Sequence, residues 1–185
     1  CRMRDDNDRV VEEHYLDANG DPVARYGNYY RVSSEYDETS TVITYLDAEG
    51  NPILRSDGYS TIIRTQVGGR ASNDFYYDLN GQQVLCSGGY YGIHCEYNAE
   101  GQSTSLTFLD EDGHAVCISS GYAIKTYQRD GNGTVVGEQY FDTEGNPVRS
   151  SLGQYGELYQ RNEQGYIGQI TYLDADGNSA PTNAG

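Results

Sequence analysis

The stretch YLDAEGNPI, residues 45–53, is a repeating motif, because near-copies of it recur along the chain. The copies begin at Tyr15, Tyr45, Tyr76, Phe108, Tyr140 and Tyr172, at intervals of 30, 31, 32, 32 and 32 residues. A glycine keeps the same step at Gly27, Gly58, Gly89, Gly121 and Gly153. Such self-similarity indicates a repeat architecture. We predict one repeat array over residues 1–185, with a partial leading repeat at 1–26 and repeats at 27–57, 58–88, 89–120, 121–152 and 153–185.

Each repeat contains runs rich in β-branched and aromatic residues, such as TVITYLD at 41–47 and STSLTFLD at 103–110, separated by short Asp/Asn/Gly turns. This pattern indicates β-hairpins, and no apolar stripe of helical period persists. We predict an all-β, β-solenoid-like array of stacked hairpins with about 31–32 residues per repeat and about three short strands in each. Adjacent Tyr and Leu point to opposite faces of a strand, so both faces carry apolar side chains.

The composition favours a thin fold with a large surface. The chain has 19 Tyr, 23 Gly and no Trp among 185 residues, and 36% of its residues are hydrophobic. Tyrosine supplies buried ring area while its hydroxyl stays in water. The abundance of aromatic rings argues against a disordered chain.

The charge limits the partners. Twelve Lys plus Arg against 28 Asp plus Glu give 12 − 28 = −16. A surface this negative repels phosphate backbones, so we expect no nucleic-acid partner. No apolar run reaches the roughly 18 residues of a membrane-spanning helix, so we expect no membrane insertion. Cationic groups, metal ions and neutral sugars stay open as ligands.

The Asp-rich turns have two interpretations. DADGN at 174–178 and DEDGH at 110–114 resemble the start of a calcium loop. An EF-hand, however, has Gly at loop position 6 and Glu at 12, whereas Gly here stands at position 4. The favoured interpretation is a turn capped by the Asp side chain, with Gly at positive φ. We therefore predict no cofactor and no metal site, with structural calcium as the less favoured alternative.

The residues that could do chemistry do not form a known constellation. His14, His94 and His114 occupy different places in their repeats, and no GxSxG or HExxH motif occurs, so we predict that the chain is not an enzyme. Cys86 and Cys117 each follow a repeat glycine by 28 residues, and Cys95 competes for Cys86 across a turn. A Cys86–Cys117 disulfide, a Cys86–Cys95 disulfide and unbridged thiols all stay open, as does the role of Cys1.

The recurring aromatic residues are the candidate ligand-binding residues. They form two sets that repeat with the period, the motif aromatics Tyr15, Tyr45, Tyr76, Phe108, Tyr140 and Tyr172 and the glycine-adjacent Tyr59, Tyr90, Tyr122 and Tyr155. Stacked repeats would align them into ladders with shallow grooves. Aromatic faces attract quaternary ammonium groups and also stack on sugar rings. The alternative for each ring is a place in the core.

The motif copies YLDANGDPV, YYDLNGQQV and YFDTEGNPV resemble the hairpin of the cell-wall-binding repeats of Gram-positive surface proteins, which include choline-binding and glucan-binding modules. The resemblance covers nearly the whole chain and implies an extracellular or cell-surface, non-catalytic array of hairpins. The chain departs from that family in its longer repeat and in its lack of Trp. EYDETSTVITYLDAEGNPI, residues 35–53, is also similar to the Tyr-Asp repeats of Rhs-type proteins, which implies a surface scaffold.

Two functions follow as hypotheses. The first is a bacterial surface module that binds a cell-wall polymer or another glycan, with cationic groups as an alternative ligand, through tyrosine-lined grooves between hairpins. The second is a stalk or scaffold segment of a larger surface protein, in which all the tyrosines are core. Exposed rings would favour the first hypothesis and buried rings the second. The oligomeric state is not indicated by the sequence.

Overall fold

The structure is a computed structural model that describes residues 1–180, and over this range it is all-β and contains no helix. The twelve strands are β1 Arg2–Arg4, β2 Val10–His14, β3 Arg31–Tyr36, β4 Ser40–Leu46, β5 Thr61–Val67, β6 Arg70–Tyr77, β7 Gly92–Tyr97, β8 Ser103–Leu109, β9 Ile124–Arg129, β10 Val135–Phe141, β11 Gly156–Arg161 and β12 Ile167–Leu173. The all-β prediction is confirmed. Within residues 1–180, nothing forms a helix of the length and apolarity that a bilayer requires. Residues 181–185 of the predicted repeat 153–185 lie outside the described residues.

The chain divides into two compact units, an N-terminal unit at Cys1–Gly92 and a C-terminal unit at Ile93–Gly185. Strands β1–β6 lie in the first, and β7–β12 lie in the second except for Gly92, the first residue of β7. Inside each unit the strands follow one another in chain order, and the registered pairs are antiparallel. A single array from residue 1 to 185 stays a prediction.

Two kinds of connection alternate along the chain. A short turn closes each hairpin, as residues 37–39 do between β3 and β4. A longer segment, which we call the return loop, leads from each even-numbered strand to the next odd-numbered one, as residues 47–60 do between β4 and β5. The return loop begins with the Asp-Gly turn of the repeat motif, so the motif ends one hairpin and positions the next.

The prediction of three strands per repeat is wrong, because the third run does not become a strand. It makes a one-residue bridge to the preceding strand, as Pro52 does with Leu46. The chain then turns again, with the Gly58 N–H donating to the Arg55 carbonyl over 3.0 Å. Gly58 has φ of +95°, a conformation that glycine adopts without a steric penalty. Two turns this close together leave no room for the hydrogen bonds of a third strand.

Apolar side chains lie on both faces of the motif strands, as predicted. Tyr76 and Tyr140 are 7% and 5% exposed, while Leu109 and Leu173, which follow motif aromatics directly, are 5% and 1% exposed. Consecutive residues of a strand point to opposite faces. The buried cluster of the N-terminal unit joins Tyr59, Ile62, Tyr76 and Cys86, so it lies on the face that carries the tyrosines.

Candidate functional site

The recurring aromatic rings touch one another in two continuous rows. The N-terminal ladder contains Tyr15, Tyr29, Tyr45, Tyr59, Tyr76 and Tyr90, with neighbouring centroids 4.6–5.9 Å apart. The C-terminal ladder contains Phe108, Tyr122 and Tyr140, with centroids 5.9 and 4.5 Å apart. Most pairs are edge-to-face or tilted, the arrangements that aromatic rings prefer.

Backbone hydrogen bonds bring each pair of rings together. In β4, the Tyr45 N–H donates to the Ser60 carbonyl over 3.0 Å. The Tyr59 carbonyl accepts from the Arg55 N–H over 2.8 Å, which closes the turn just before Ser60. A ring on the strand therefore alternates with a ring on the return loop, and the repeat of the sequence becomes a repeat of contacts.

The exposure of the ten predicted ligand-binding residues divides them into three groups. Tyr59, Tyr76, Phe108 and Tyr140 are buried, at 9%, 7%, 7% and 5% exposure. Tyr15, Tyr45, Tyr90, Tyr122 and Tyr155 are half-buried. Tyr172 alone among the ten is exposed, at 47%. Most of the predicted rings therefore lie in the core or at its margin.

Burial of the rings changes their ionisation. Removal from water raises the pKa of the Tyr59, Tyr76 and Tyr140 hydroxyls well above the ordinary value, because it disfavours the charged phenolate. For Tyr140, a hydrogen bond to Glu138, 2.6 Å long, adds to this rise in pKa. Burial is also the largest cause that raises the pKa of Tyr90 to about 12.

Arg55 covers the middle of the N-terminal ladder. Its guanidinium lies 5.1, 4.4 and 5.1 Å from the ring centroids of Tyr29, Tyr45 and Tyr59. Asp57 forms a 2.7 Å ion pair with this guanidinium, and the Arg55 side chain is 11% exposed. The surface of these rings that a cationic ligand would use is therefore occupied by a cation of the protein itself. Arg25 lies in the same way against Tyr15, at 5.0 Å.

Tyr29 belongs to the ladder although it is not among the ten predicted ligand-binding residues. Its carbonyl accepts from the Arg25 N–H, as the Tyr59 carbonyl does from Arg55. Asn28, with φ of +65°, takes the place that Gly58 has in the next return loop. Asn is one of the few residues that tolerate this conformation, so alignment on glycine alone shifted this repeat by one residue.

Tyr155 lies one residue away from the ladder position. The Ser150 N–H donates to the Gln154 carbonyl, and the Tyr140 N–H donates to the Tyr155 carbonyl. Gln154 is therefore the equivalent of Tyr59, and Tyr155 the equivalent of Ser60. The Tyr155 ring lies beside Arg149 instead, at 5.3 Å. The spacing from Gly153 could have shown this, because Tyr59, Tyr90 and Tyr122 directly follow their glycines.

The C-terminal unit has a polar cluster beside its ladder. Glu138 and Glu157 are directly opposite each other on β10 and β11. Lys125 Nζ lies 3.4 Å from Glu138 Oε2, and the Gln154 amide donates to Glu157 Oε1 over 3.0 Å. In the N-terminal unit, Ile62 stands opposite Tyr76, in the place that Lys125 takes opposite Tyr140.

The Asp-Gly turns have the predicted capping geometry. The Asp142 carboxylate accepts the N–H groups of Glu144 and Asn146 at 3.0 and 2.8 Å, and Gly145 has φ of +82°. These backbone hydrogen bonds, led by the one from Asn146, lower the Asp142 pKa. The same pair of bonds forms at Asp17, Asp78, Asp110 and Asp174. In residues 1–180, no three side chains of His, Cys, Asp or Glu gather where they could hold a metal ion.

The remaining candidate residues lie apart from the ladders. Cys86 is a buried free thiol and Cys1 and Cys117 are exposed free thiols, so Cys86 and Cys117 form no disulfide. The two cysteines do not hold equivalent positions when counted back from the next repeat glycine. Cys86 precedes Gly89 by three residues, whereas Cys117 precedes Gly121 by four. His14 Nε2 lies 2.7 Å from Glu12 Oε1, whereas His114 lies in a motif turn and is 79% exposed at its side chain.

No protein-family model matches the chain, and no curated protein matches it at a significant level.

Proposed function

We propose that the chain is a non-catalytic scaffold, a segment of hairpin repeats in a larger surface protein, in which the tyrosine ladders hold successive hairpins together. The extracellular setting rests on the resemblance of the Tyr-x-Asp-x-x-Gly hairpin to bacterial surface repeats. The scaffold role rests on the environment of the rings.

The observation that carries the proposal is the continuous contact between rings. Each ring of the N-terminal ladder touches the next at 4.6–5.9 Å. Tyr59 and Tyr76, in its middle, are 9% and 7% exposed. A ring enclosed by neighbouring rings cannot also stack on a sugar. Such pairs add about 0.5–1.5 kcal/mol each to the stability gained from burial.

Binding of a cell-wall polymer or glycan, the first hypothesis from the sequence, now depends on fewer residues. Tyr172 is the ring among the ten candidates with a largely open face, at 47% exposure. The Glu157 side chain is directly opposite it across β11 and β12. A glycan-binding function of the predicted kind would therefore depend on Tyr172.

The test combines binding with folding. The chain and its Tyr172→Ala variant are applied to a glycan array and to purified cell-wall fractions, with circular dichroism as the control for folding. The scaffold proposal expects no retention of either protein. Retention of the parent chain that is lost in a folded Tyr172→Ala variant would overturn it and establish a binding module.

A further inference from the structure

Three turns of the chain contain the dipeptide Asn-Gly in one setting, Asp-x-Asn-Gly. Their asparagines are all exposed to solvent, and they are Asn19, Asn80 and Asn132. The first two turns begin return loops, and the third closes the hairpin between β9 and β10. Glycine has no side chain, so it does not hinder the approach of its own backbone nitrogen to the side chain of the preceding asparagine.

The reaction open to such a pair is deamidation. The glycine nitrogen attacks Cγ of the asparagine and forms a new N–C bond, while the Cγ–Nδ2 bond breaks and ammonia leaves with the proton of the glycine N–H. The product is a five-membered succinimide ring. Water then opens the ring at either of its carbonyl groups and leaves an aspartate or an isoaspartate. Water is the only co-reactant.

The folded turn binds the attacking nitrogen in a hydrogen bond. In the third turn, the Gly133 N–H donates to the Asp130 carbonyl over 3.0 Å. The Asp130 carboxylate accepts the N–H groups of Asn132 and Thr134, each over 2.9 Å. The turns of Asn19 and Asn80 make the same bonds. Because the nitrogen can attack only after its N–H is released, we expect deamidation to proceed through a locally opened turn.

The two products should affect the turn differently. An aspartate fits, because Asp112 and Asp176 hold this place in other motif turns and donate their N–H to the first Asp of the turn over 3.0 Å. An isoaspartate adds a methylene group to the backbone, which displaces the N–H groups that bond this Asp. Isoaspartate should therefore loosen the turn. Either product adds a negative charge to a chain of net charge −16.

We propose that Asn19, Asn80 and Asn132 are sites of spontaneous deamidation, and that the Asp at the start of each turn controls the rate. The inference goes beyond the scaffold function and does not depend on it. In a scaffold, the reaction turns a connection that positions two strands into a looser one without any enzyme.

The turn of Asn132 can be altered in both directions while its Asn-Gly pair is kept. Asp130→Ala removes the acceptor of two N–H groups, so the turn should open more often. Gly131→Ala should have the opposite effect. Gly131 does not have a positive φ, and a β-carbon there would meet nothing beyond its chain neighbours within 4 Å. Alanine therefore fits the closed turn and restricts the opened one.

The experiment incubates the intact chain and both variants at neutral pH and follows each asparagine by peptide mapping with mass spectrometry. Deamidation of Asn19, Asn80 and Asn132 in the parent chain is the expected result. Asp130→Ala should speed the reaction at Asn132 about fivefold, the factor that corresponds to one lost hydrogen bond. Gly131→Ala should slow it about two- to fivefold. The rates at Asn19 and Asn80 should be equal in all three proteins.

Two controls separate the effect of the turn from that of the local sequence. In urea, where the turns are open, Asn132 should react at one rate in the parent chain and in Asp130→Ala, and faster than in the folded parent chain. Asn146 precedes Pro147, whose nitrogen carries no hydrogen, so Asn146 should stay unmodified in every sample. Circular dichroism checks that both variants are folded.

Two results would overturn the proposal. The first is the absence of deamidation at all three asparagines of the folded chain over a time in which the chain in urea reacts. The second is a rate at Asn132 that is the same in the folded parent chain and in folded Asp130→Ala, since the Asp would then not control the reaction. If Asp130→Ala does not fold, the Gly131→Ala variant decides, and an unchanged rate there counts against control by the turn.

Discussion

The two units use one repeated backbone but fill it differently. The N-terminal ladder has six tyrosines in contact, and Arg55 covers three of them. The C-terminal ladder has three rings in contact, and Gln154 takes the next ladder position. Residues opposite the motif tyrosines are apolar in the first unit, as Ile62 is, and charged in the second, as Lys125 is.

The arrangement of charged side chains also differs between the two units. Arg64 and Asp74 in the N-terminal unit form two parallel hydrogen bonds of 2.7 and 2.6 Å. In the C-terminal unit, Glu138 and Glu157 lie opposite each other, and Lys125 is 3.4 Å from Glu138. The turns and backbone hydrogen bonds are thus shared by the two units, while the side chains of the ladder face differ between them.

The largest expected effect is the loss of a buried ladder ring. Tyr76→Ala should lower the free energy of unfolding by about 3–5 kcal/mol, because truncation of a buried aromatic leaves a cavity. Tyr172→Ala, at a ring that is 47% exposed, is the matched control and should cost less than about 1 kcal/mol. Urea unfolding measures both, and equal losses would contradict a core role for Tyr76.

Removal of Arg55 should have the next largest effect. Arg55→Ala should lower the free energy of unfolding by about 2 kcal/mol, because three rings lose their contact with a cation that is shielded from water. Arg55→Lys keeps the charge but loses the planar group that stacks on rings, so it should restore only part of this loss. Arg149→Ala, at an arginine that faces a single ring, should cost less in the same unfolding experiment. An Arg55→Ala variant as stable as Arg149→Ala would show that the covering of the ladder is not stabilising.

Relief of the carboxylate pair should stabilise the C-terminal unit slightly. Glu157→Gln removes one of two like charges on opposite strands, so the free energy of unfolding should rise by about 0.2–1 kcal/mol. The Gln side chain keeps an oxygen that can accept from Gln154. Differential scanning calorimetry in low salt measures the gain, and its disappearance in high salt would identify repulsion as the cause. A loss of stability would contradict the repulsion.

The smallest effect at neutral pH is expected at the motif turn. Asp142→Asn should leave the melting temperature at pH 7 unchanged, because Asn98 and Asn162 cap other turns of this fold in the same way. Asp142→Ala should lower it, since no acceptor is left for the two N–H groups. A melting temperature that falls equally in both variants would show that the charge, rather than the acceptor, is needed.

The turn also gives a pH dependence with a definite sign. The pKa of Asp142 is lower in the folded chain than its ordinary value, so its stabilising contribution is present above about pH 4 and is lost as pH falls through the folded pKa. The drop in melting temperature between pH 5 and pH 3 should therefore be smaller in Asp142→Asn than in the parent chain. An identical drop would contradict the assigned cause.

The sequence predicted the elements that depend on local chemistry. The period, the Asp-capped turns and the alternation of Tyr and Leu across a strand follow from φ preferences and from the two-residue period of a strand. The place of Tyr29 was missed because Asn28 substitutes for glycine, and Tyr155 was selected where Gln154 holds the ladder position. The first error comes from a one-residue shift of that repeat, whereas the spacing could have corrected the second, because Gln154 directly follows Gly153.

The contacts between repeats were harder to predict, because they join residues distant in sequence. Arg55 covers Tyr29 across a whole repeat, and no local pattern marks that arginine. The hydrogen bond from Arg129 Nη2 to the Ser103 carbonyl likewise depends on the register between strands. The third predicted strand does not form because a second turn, at Gly58, lies too close to the first for strand hydrogen bonds to develop.

The central claim, that the ladder rings are core, is tested most directly by their ionisation. Burial raises the pKa of Tyr76 and Tyr140, so their stabilising contribution is full below pH 10 and is lost as pH rises above the unfolded value of about 10. The chain, labelled with ¹³C at tyrosine Cζ, is titrated by NMR while circular dichroism follows folding. The rings of Tyr76 and Tyr140 should show no ionisation as long as the chain stays folded. Their ionisation in the folded chain with a midpoint near pH 10 would contradict the account.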